Sequence, residues 1–351
     1  MTLDDLVARV AAAAEAGTAL RVRGGGSKDF YGGMLAGELL DVSGHRGILA
    51  YEPTELYLTA RAGTPLAEVE AALAERGQML PFEPPHFGSA TVGGCVAAAL
   101  AGPRRQQAGG VRDYVLGVRM IDGRGQLLNF GGQVMKNVAG FDLARLLTGS
   151  LGTLGVLAEV TFKVLPRPVA ETTLHFELSQ AEALEQLNRW GGQPLPISGS
   201  FWHEGQLTVR LSGAHAAVDS ARRILGGEHV PQAEGWWQSV REQTHAAYAA
   251  DRLWRLALPT TAPVLDLPGE VAVEWGGGLR WLRSDAEVAV VRQAAAEVGG
   301  HATLYRAPES LRCLENAFTP LPLAVLALHQ RLKKAFDPKG IFNPGRLFAE
   351  V

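Results

Sequence analysis

PPHFGSATVGGCVAAALAGPRRQQAGGVRDYVLGVRMIDGRG, residues 84–125, sets proline, glycine, serine and threonine around a short alanine-rich segment, then runs into a strand and a tight turn. A core helix has no need of Gly88, Gly93 and Gly94, since each helical glycine costs about 1 kcal/mol against alanine. Glycine is kept where backbone must come close to something else. Two more glycine-dense segments share this half of the chain: VRGGGSK at 22–28 and GSLGTLGV at 149–156. Three separate main-chain surfaces of this kind imply one large, extended, phosphate-bearing ligand.

At 351 residues the chain exceeds what one core serves, so more than one domain is expected. Its formal net charge of -3, with no basic block, argues against nucleic acid as a partner. Cys95 and Cys313 are the only cysteines. Two distant thiols make neither an iron–sulfur centre nor a disulfide framework, and a reducing cytoplasm fits them. The first residues, MTLDDLVARVAAAAEAG, read as a capped amphipathic helix rather than a leader. No window is apolar enough for a membrane span, so contact with a membrane is expected only through partners.

Outward from the opening stretch, residues 18–62 read as short strands. Pro65 to Arg76 reads as an amphipathic helix, with strands over 115–121 and 126–130 joined at Asp122-Gly123. A helix from Asp142 and a strand through Val164 follow, and Pro166-Arg-Pro168 marks a boundary. Beyond it, strands alternate with helices at 179–190, 214–225 and 285–298, with a hairpin at Glu204-Gly205. This predicts an α+β sheet with its helices on one side and no internal repeat. The division is 1–168, 169–319, and a closing segment 320–351.

Each glycine segment has a ligand reading and a plain one. Arg23-Gly24-Gly25-Gly26-Ser27-Lys28 follows a strand and can turn successive N–H groups inward as a phosphate nest; a tight turn is the competing reading. Thr91-Val92-Gly93-Gly94 opens a helix whose first N–H donors suit a pyrophosphate; close packing of a buried alanine-rich helix competes. Gly149-Ser-Leu-Gly152-Thr153-Leu-Gly155-Val156 can offer amides to a flat heteroaromatic edge, or simply turn from helix to strand.

In this order the three segments resemble the FAD-binding domain of the vanillyl-alcohol oxidase / p-cresol methylhydroxylase (PCMH-type) superfamily. The resemblance implies a PCMH-type domain of two α/β subdomains, an α+β, ferredoxin-like cap, and a C-terminal segment returning to the flavin site through Asn343. It implies FAD held by residues 23–28, by Pro85, Gly88, Ser89, Thr91, Val92, Gly93 and Gly94 with Arg112 and Asp113, and by Gly149, Gly152, Thr153, Gly155 and Val156. Segments 82–87, 102–105, 131–140 and 274–281 further resemble the FAD-binding E subunits of bacterial glycolate oxidases. That likeness implies a larger related flavoprotein subunit and an iron–sulfur subunit as partners. It also implies a small 2-hydroxy acid as substrate, and a cytoplasmic place, peripheral at the inner membrane through the complex.

Two departures bear on function. Ser27 and Lys28 stand where some superfamily members attach flavin through histidine, so FAD is expected to be non-covalent, with Cys95 a small buried residue. The Gly-Glu-His-Gly motif of the 2-hydroxy-acid dehydrogenases is replaced by Gly299-Gly300-His301-Ala, and no metal site is expected. Arg255 is the candidate fork for a substrate carboxylate, and Glu274, with Arg280, flanks the Gly276–Gly278 loop; a solvated strand charge or an internal ion pair is the competing reading for each. Two functions stay in view: oxidation of glycolate or a similar acid at this chain's own flavin, or a flavin-binding relay beside a catalytic relative. The missing motif favours the second for this chain alone.

Overall fold

The computed structural model of the chain describes residues 1–132 and 142–349. The likeness at 131–140 therefore lies almost wholly outside the described residues. Thr2 caps the first helix, Leu3–Ala16, in a reciprocal box with Asp5, and Leu6, Val10, Ala13 and Ala14 are its buried face. That face packs on a small parallel sheet of Leu20–Arg23 and Glu38–Asp41. Phe342 joins the sheet beside Leu20, so the end of the chain supplies its third row.

Five antiparallel strands form the second layer, in the order Ile48–Glu52, Tyr57–Arg61, Val156–Lys163, Val115–Ile121, Leu127–Gly131. The helices Leu66–Ala74 and Val92–Ala98 bury their apolar sides against it. Pro65 caps the first of these, as its fixed φ suits, and Gly77 follows at φ 63°. The helix expected from Asp142 is a single turn, Leu143–Leu146, capped by the Asp142 carboxylate.

An eight-stranded antiparallel sheet carries the rest. Its first half places Glu228–Val230, Ala170–Glu177, Gln206–Gly213 and Ile197–His203 in that order, which is 4-1-3-2 in chain order. The second half continues with Glu270–Glu274, Leu279–Arg283, Leu253–Ala257 and His301–Arg306, which is 2-3-1-4. The ferredoxin-like topology thus occurs twice, back to back, joined where Phe201 faces Glu274. The second copy lacks the first crossover helix. No sequence repetition accompanies this duplication, which is why the residues alone did not show it.

Helices Gln180–Gly191, His215–Leu225 and Val288–Glu297 cover one face of this sheet, as expected. The other face is aromatic. Phe201, Tyr248, Trp281 and Tyr305 pack there with Tyr31, Leu100 and Leu151 from the N-terminal layers. A buried ion network pins the contact: Glu83 pairs with Arg104 (3.2 Å) and Arg210 (2.9 Å), and Arg104 with Glu171 (2.5 Å). Burial alone would raise the Glu83 carboxyl, but the two guanidinium groups hold it below its ordinary value.

Candidate functional site: loop cradle and aromatic cap

The strand Leu20–Arg23 ends at the 24–28 loop. No amide from Gly24 to Lys28 has a hydrogen-bond partner among the described residues, so five successive donors stay available. The loop is held open from outside. Ser89 Oγ donates to Gly25 O (2.7 Å), Arg23 pairs with Asp29 (3.0 Å), and Arg346 donates to the carbonyls of Lys28 (3.1 Å) and Asp29 (3.0 Å). A Cβ on Gly25 would lie 1.4 Å from Ser89 O, so only glycine lets the two loops touch. Ser27 Oγ lies 3.2 Å from Lys28 Nζ, which also donates to His86 O (3.4 Å) and stands over the Phe87 ring. Burial lowers the Lys28 pKa, and no carboxylate pairs with it among the described residues.

The second loop follows buried Pro85. Gly88 and Ser89 are exposed, and Glu242 of the eight-stranded sheet's domain accepts from the amides of His86 (3.0 Å) and Phe87 (2.9 Å). At the helix that follows, one expectation is corrected. The first-turn amides are not vacant: Val92 N donates to Thr64 O, Gly93 N to Ala62 O and Gly94 N to Thr91 Oγ1. Gly93 is there because a Cβ would press Ala62 at 2.8 Å, so the helix start serves packing, while the amides of Gly88 and Ser89 before it have no partner among the described residues. Arg112 and Asp113 lie on the exposed side of the short helix Val111–Tyr114, where the Asp113 carboxylate accepts from Gly110 N (2.8 Å).

The third segment is a junction. Gly149 N and Leu151 N donate to the carbonyls of Val96 and Ala97 at the end of the Val92–Ala98 helix. Thr153 is buried, its hydroxyl turned to Ser150 O, and Gly155 precedes the strand that Val156 begins. Gly152 faces Asn343. Asn343 was expected at the cofactor, yet both ends of its amide serve the chain. Its Oδ1 accepts from Val22 N and its Nδ2 donates to Leu151 O, each at 2.7 Å. Asp337 and buried Lys333 brace the same turn.

Strand alternation fixes which cap residues look toward these loops. Leu253, Ala272, Leu279, Trp281 and Tyr305 lie on the loop side, whereas Trp254, Leu256, Leu282 and Leu304 lie under the helices. Arg255 and Glu274 share the parity of the first set; Arg280 has that of the second. Arg280 gives its guanidinium to the carbonyls of Ala262 and Pro263, an anchor for the loop that replaces the missing crossover helix. Glu274 is buried, with Oε1 accepting from the Tyr248 hydroxyl and the Trp281 indole, each at 2.7 Å. Burial pushes its carboxyl up to about 7, against those two hydrogen bonds and the nearby charge of Arg255. Arg255 lies 5.3 Å from the Trp275 ring and has no ion pair among the described residues. Sequence reasoning missed Tyr248, at the end of the short helical turn Ala246–Tyr248, and Tyr305, on a strand; buried aromatic residues signal a core, and nothing in their spacing marks a site.

Cys95 is buried in its helix, and burial pushes its thiol up to about 12, which leaves it a poor nucleophile. His203, Glu204 and Glu270 come together at the cap hairpin, but Glu270 already pairs with Arg283 (2.6 Å) and Glu204 is exposed. A cavity of about 770 Å³ beside Glu70, Glu83 and Arg241 touches none of the glycine loops.

Comparison with known proteins agrees with this geometry. Residues 1–131 match the FAD binding domain family, and residues 321–347 the C-terminal domain of FAD linked oxidases. The chain is 51% identical to the glycolate oxidase subunit GlcE of Escherichia coli (strain K12) over 336 residues, 95% of this chain and 94% of that one. It is 34% identical to the glycolate oxidase subunit GlcD of Bacillus subtilis (strain 168), over 36% of this chain and 27% of that one. To a D-2-hydroxyglutarate dehydrogenase of Xanthomonas citri pv. viticola it is 32% identical, over 47% and 36%. An alkyldihydroxyacetonephosphate synthase structure superposes with a TM-score of 0.66 at 15% identity, over 98% of this chain and 76% of that one, a likeness of fold. By near full-length similarity, with the loop cradle and the duplicated cap in place, this chain belongs to the glycolate oxidase subunit GlcE family.

Proposed function

We propose that the chain is the FAD-binding subunit of a glycolate-oxidising assembly and that its own cap binds the small 2-hydroxy acid. The cradle fits the cofactor: the amides of 24–28 suit a pyrophosphate, and Ser89 and Lys28 lie at its rim. Ser27, Lys28 and the buried Cys95 offer no reactive tether, so FAD is held non-covalently. When bound, it supplies the acceptor for a hydride from C2 of the acid.

The chain's residues do the rest. Arg255 holds the substrate carboxylate through its planar fork. Glu274, poised near neutrality, takes the proton of the C2 hydroxyl, while Tyr248 and Trp281 fix its Oε1 and leave Oε2 for that proton. The aromatic side chains around them exclude water, which strengthens both interactions. Electrons then pass to an iron–sulfur partner within a multi-subunit complex. The observation that carries this reading is a half-buried arginine without a carboxylate partner among the described residues, on the same sheet face as a carboxyl held near 7.

The test is anaerobic addition of glycolate to the isolated, FAD-loaded chain. Loss of the flavin's visible absorption is expected, slowed by about a hundredfold or more in Glu274→Gln. Colour that persists at saturating glycolate would instead favour the relay function.

A further inference from the structure

We infer that Arg105 is the second arm of an anion clamp that closes with Arg255 around Trp275, and that its ligand is a small carboxylate. Arg105 comes from the N-terminal layers, on the short helix Arg105–Ala108, and its guanidinium carbon lies 4.2 Å from the centre of the Trp275 ring. Arg255 approaches the same ring at 5.3 Å from the cap. Two like charges thus face one indole across the domain contact. Neither has an ion pair or side-chain hydrogen bond among the described residues.

Arg105 is exposed and Arg255 half-buried, and the residue beside Arg105 differs in both respects. Arg104, one residue earlier, is paired with both Glu83 and Glu171. The acids nearest the clamp are occupied: Asp113 accepts from Gly110 N, and Glu274 accepts from Tyr248 and Trp281. Arg105 is held below the usual guanidinium value, first by its packing against protein and next by the charge of Arg255, and it remains a cation. The segment that carries it is tied to the cap at two points. Trp275 Nε1 donates to Gly102 O (3.1 Å), and Ser200 Oγ donates to Gln106 Oε1 (2.6 Å). An anion between the arginines relieves a repulsion that the rigid frame otherwise maintains.

The chemistry favours a carboxylate over a cofactor phosphate. The 24–28 loop already offers five amides to phosphate, whereas the clamp stands on the residue directly after Glu274. An acid held there lies next to the base, with the flat indole against its carbon skeleton. This inference rests on the proposed function for the identity of the acid, but not for the binding of an anion.

The probe is oxalate, a two-carbon carboxylate with no C2 hydrogen to lose, titrated into the FAD-loaded full chain by calorimetry and by thermal melting. Oxalate is expected to bind and raise the melting temperature. Arg105→Gln and Arg255→Gln are each expected to weaken binding about tenfold or more, and Arg105→Lys to recover only part, because the ammonium lacks the bidentate fork. The control Arg222→Gln, on the outer face of the cap helix His215–Leu225, leaves affinity unchanged. FAD content is expected to stay at the wild-type level in every variant. Oxalate affinity within about twofold of wild type in both Arg105 variants overturns the clamp, and so does loss of FAD from them, which would move Arg105 to the cofactor. If oxalate binding needs both arginines and glycolate still fails to bleach the flavin, the clamp stands and oxidation at this chain's own flavin falls.

Discussion

Replacing Glu274 by glutamine tests the electrostatics of the cap directly. Burial raises this carboxyl from 4.5 to about 7, and each pKa unit is worth about 1.36 kcal/mol, so ionising it in the folded chain costs about 3 kcal/mol more than in the unfolded one. The sign follows from the raised value. Below about pH 4.5 both states hold the proton and the group contributes nothing; as pH climbs toward about 7 the unfolded chain releases it first, and folding loses stability. Glutamine keeps an oxygen to accept from Tyr248 and Trp281 and cannot ionise. Urea unfolding of both proteins across about pH 5 to 8, at fixed FAD, is expected to show wild type losing roughly 2–3 kcal/mol relative to the variant. The same exchange removes the acidic limb, near neutrality, from the pH profile of turnover. Parallel stability curves would falsify the burial of an ionisable Glu274 and, with it, the choice of base.

Gly25→Ala puts a Cβ 1.4 Å from Ser89 O, so the two loops must part; FAD content after gel filtration is expected to fall by about tenfold or more while cap mutants keep it. Asn343→Ala removes one buried and one part-buried hydrogen bond between segments far apart in the chain, at a cost of about 2–4 kcal/mol in urea unfolding. Glu83→Ala strips Arg210 of its carboxylate and leaves Arg104 with Glu171 alone, a loss of about 3–5 kcal/mol. Unfolding wild-type protein in acid should release all its flavin to the supernatant, and colour in the pellet would contradict non-covalent binding.

Much of the fold was written locally. Ser179 and Glu182 form the capping box their spacing implies, and Glu204-Gly205, both at positive φ, turn the hairpin expected of them. Edge elements were harder to see. Ile48–Glu52 and Glu228–Val230 are short and half-exposed, so they lack the apolar alternation that betrays a strand. His301–Arg306 was noticed only for its histidine, although it closes the cap sheet. At the site, Gly25 announces a close approach because no other residue fits there, but Gly93 announces the same and turns out to meet Ala62. Partnerships across long separations left no trace in the residues. Nothing at 105 or 255 alone tells that both approach one indole, and nothing at 83 tells that two arginines await it.

The bridge of Phe342 to Leu20 bears on how the protein is made. The row beside Leu20 is filled, and Val22 gains its partner in Asn343, from residues more than three hundred positions downstream. On the ribosome, the first lobe must therefore wait, with one sheet edge bare, until residues 342 and 343 have been made. Cofactor capture is thus deferred until that segment exists, and a message cut short of residue 342 would yield a product with an unfinished cradle rather than a weaker flavoprotein.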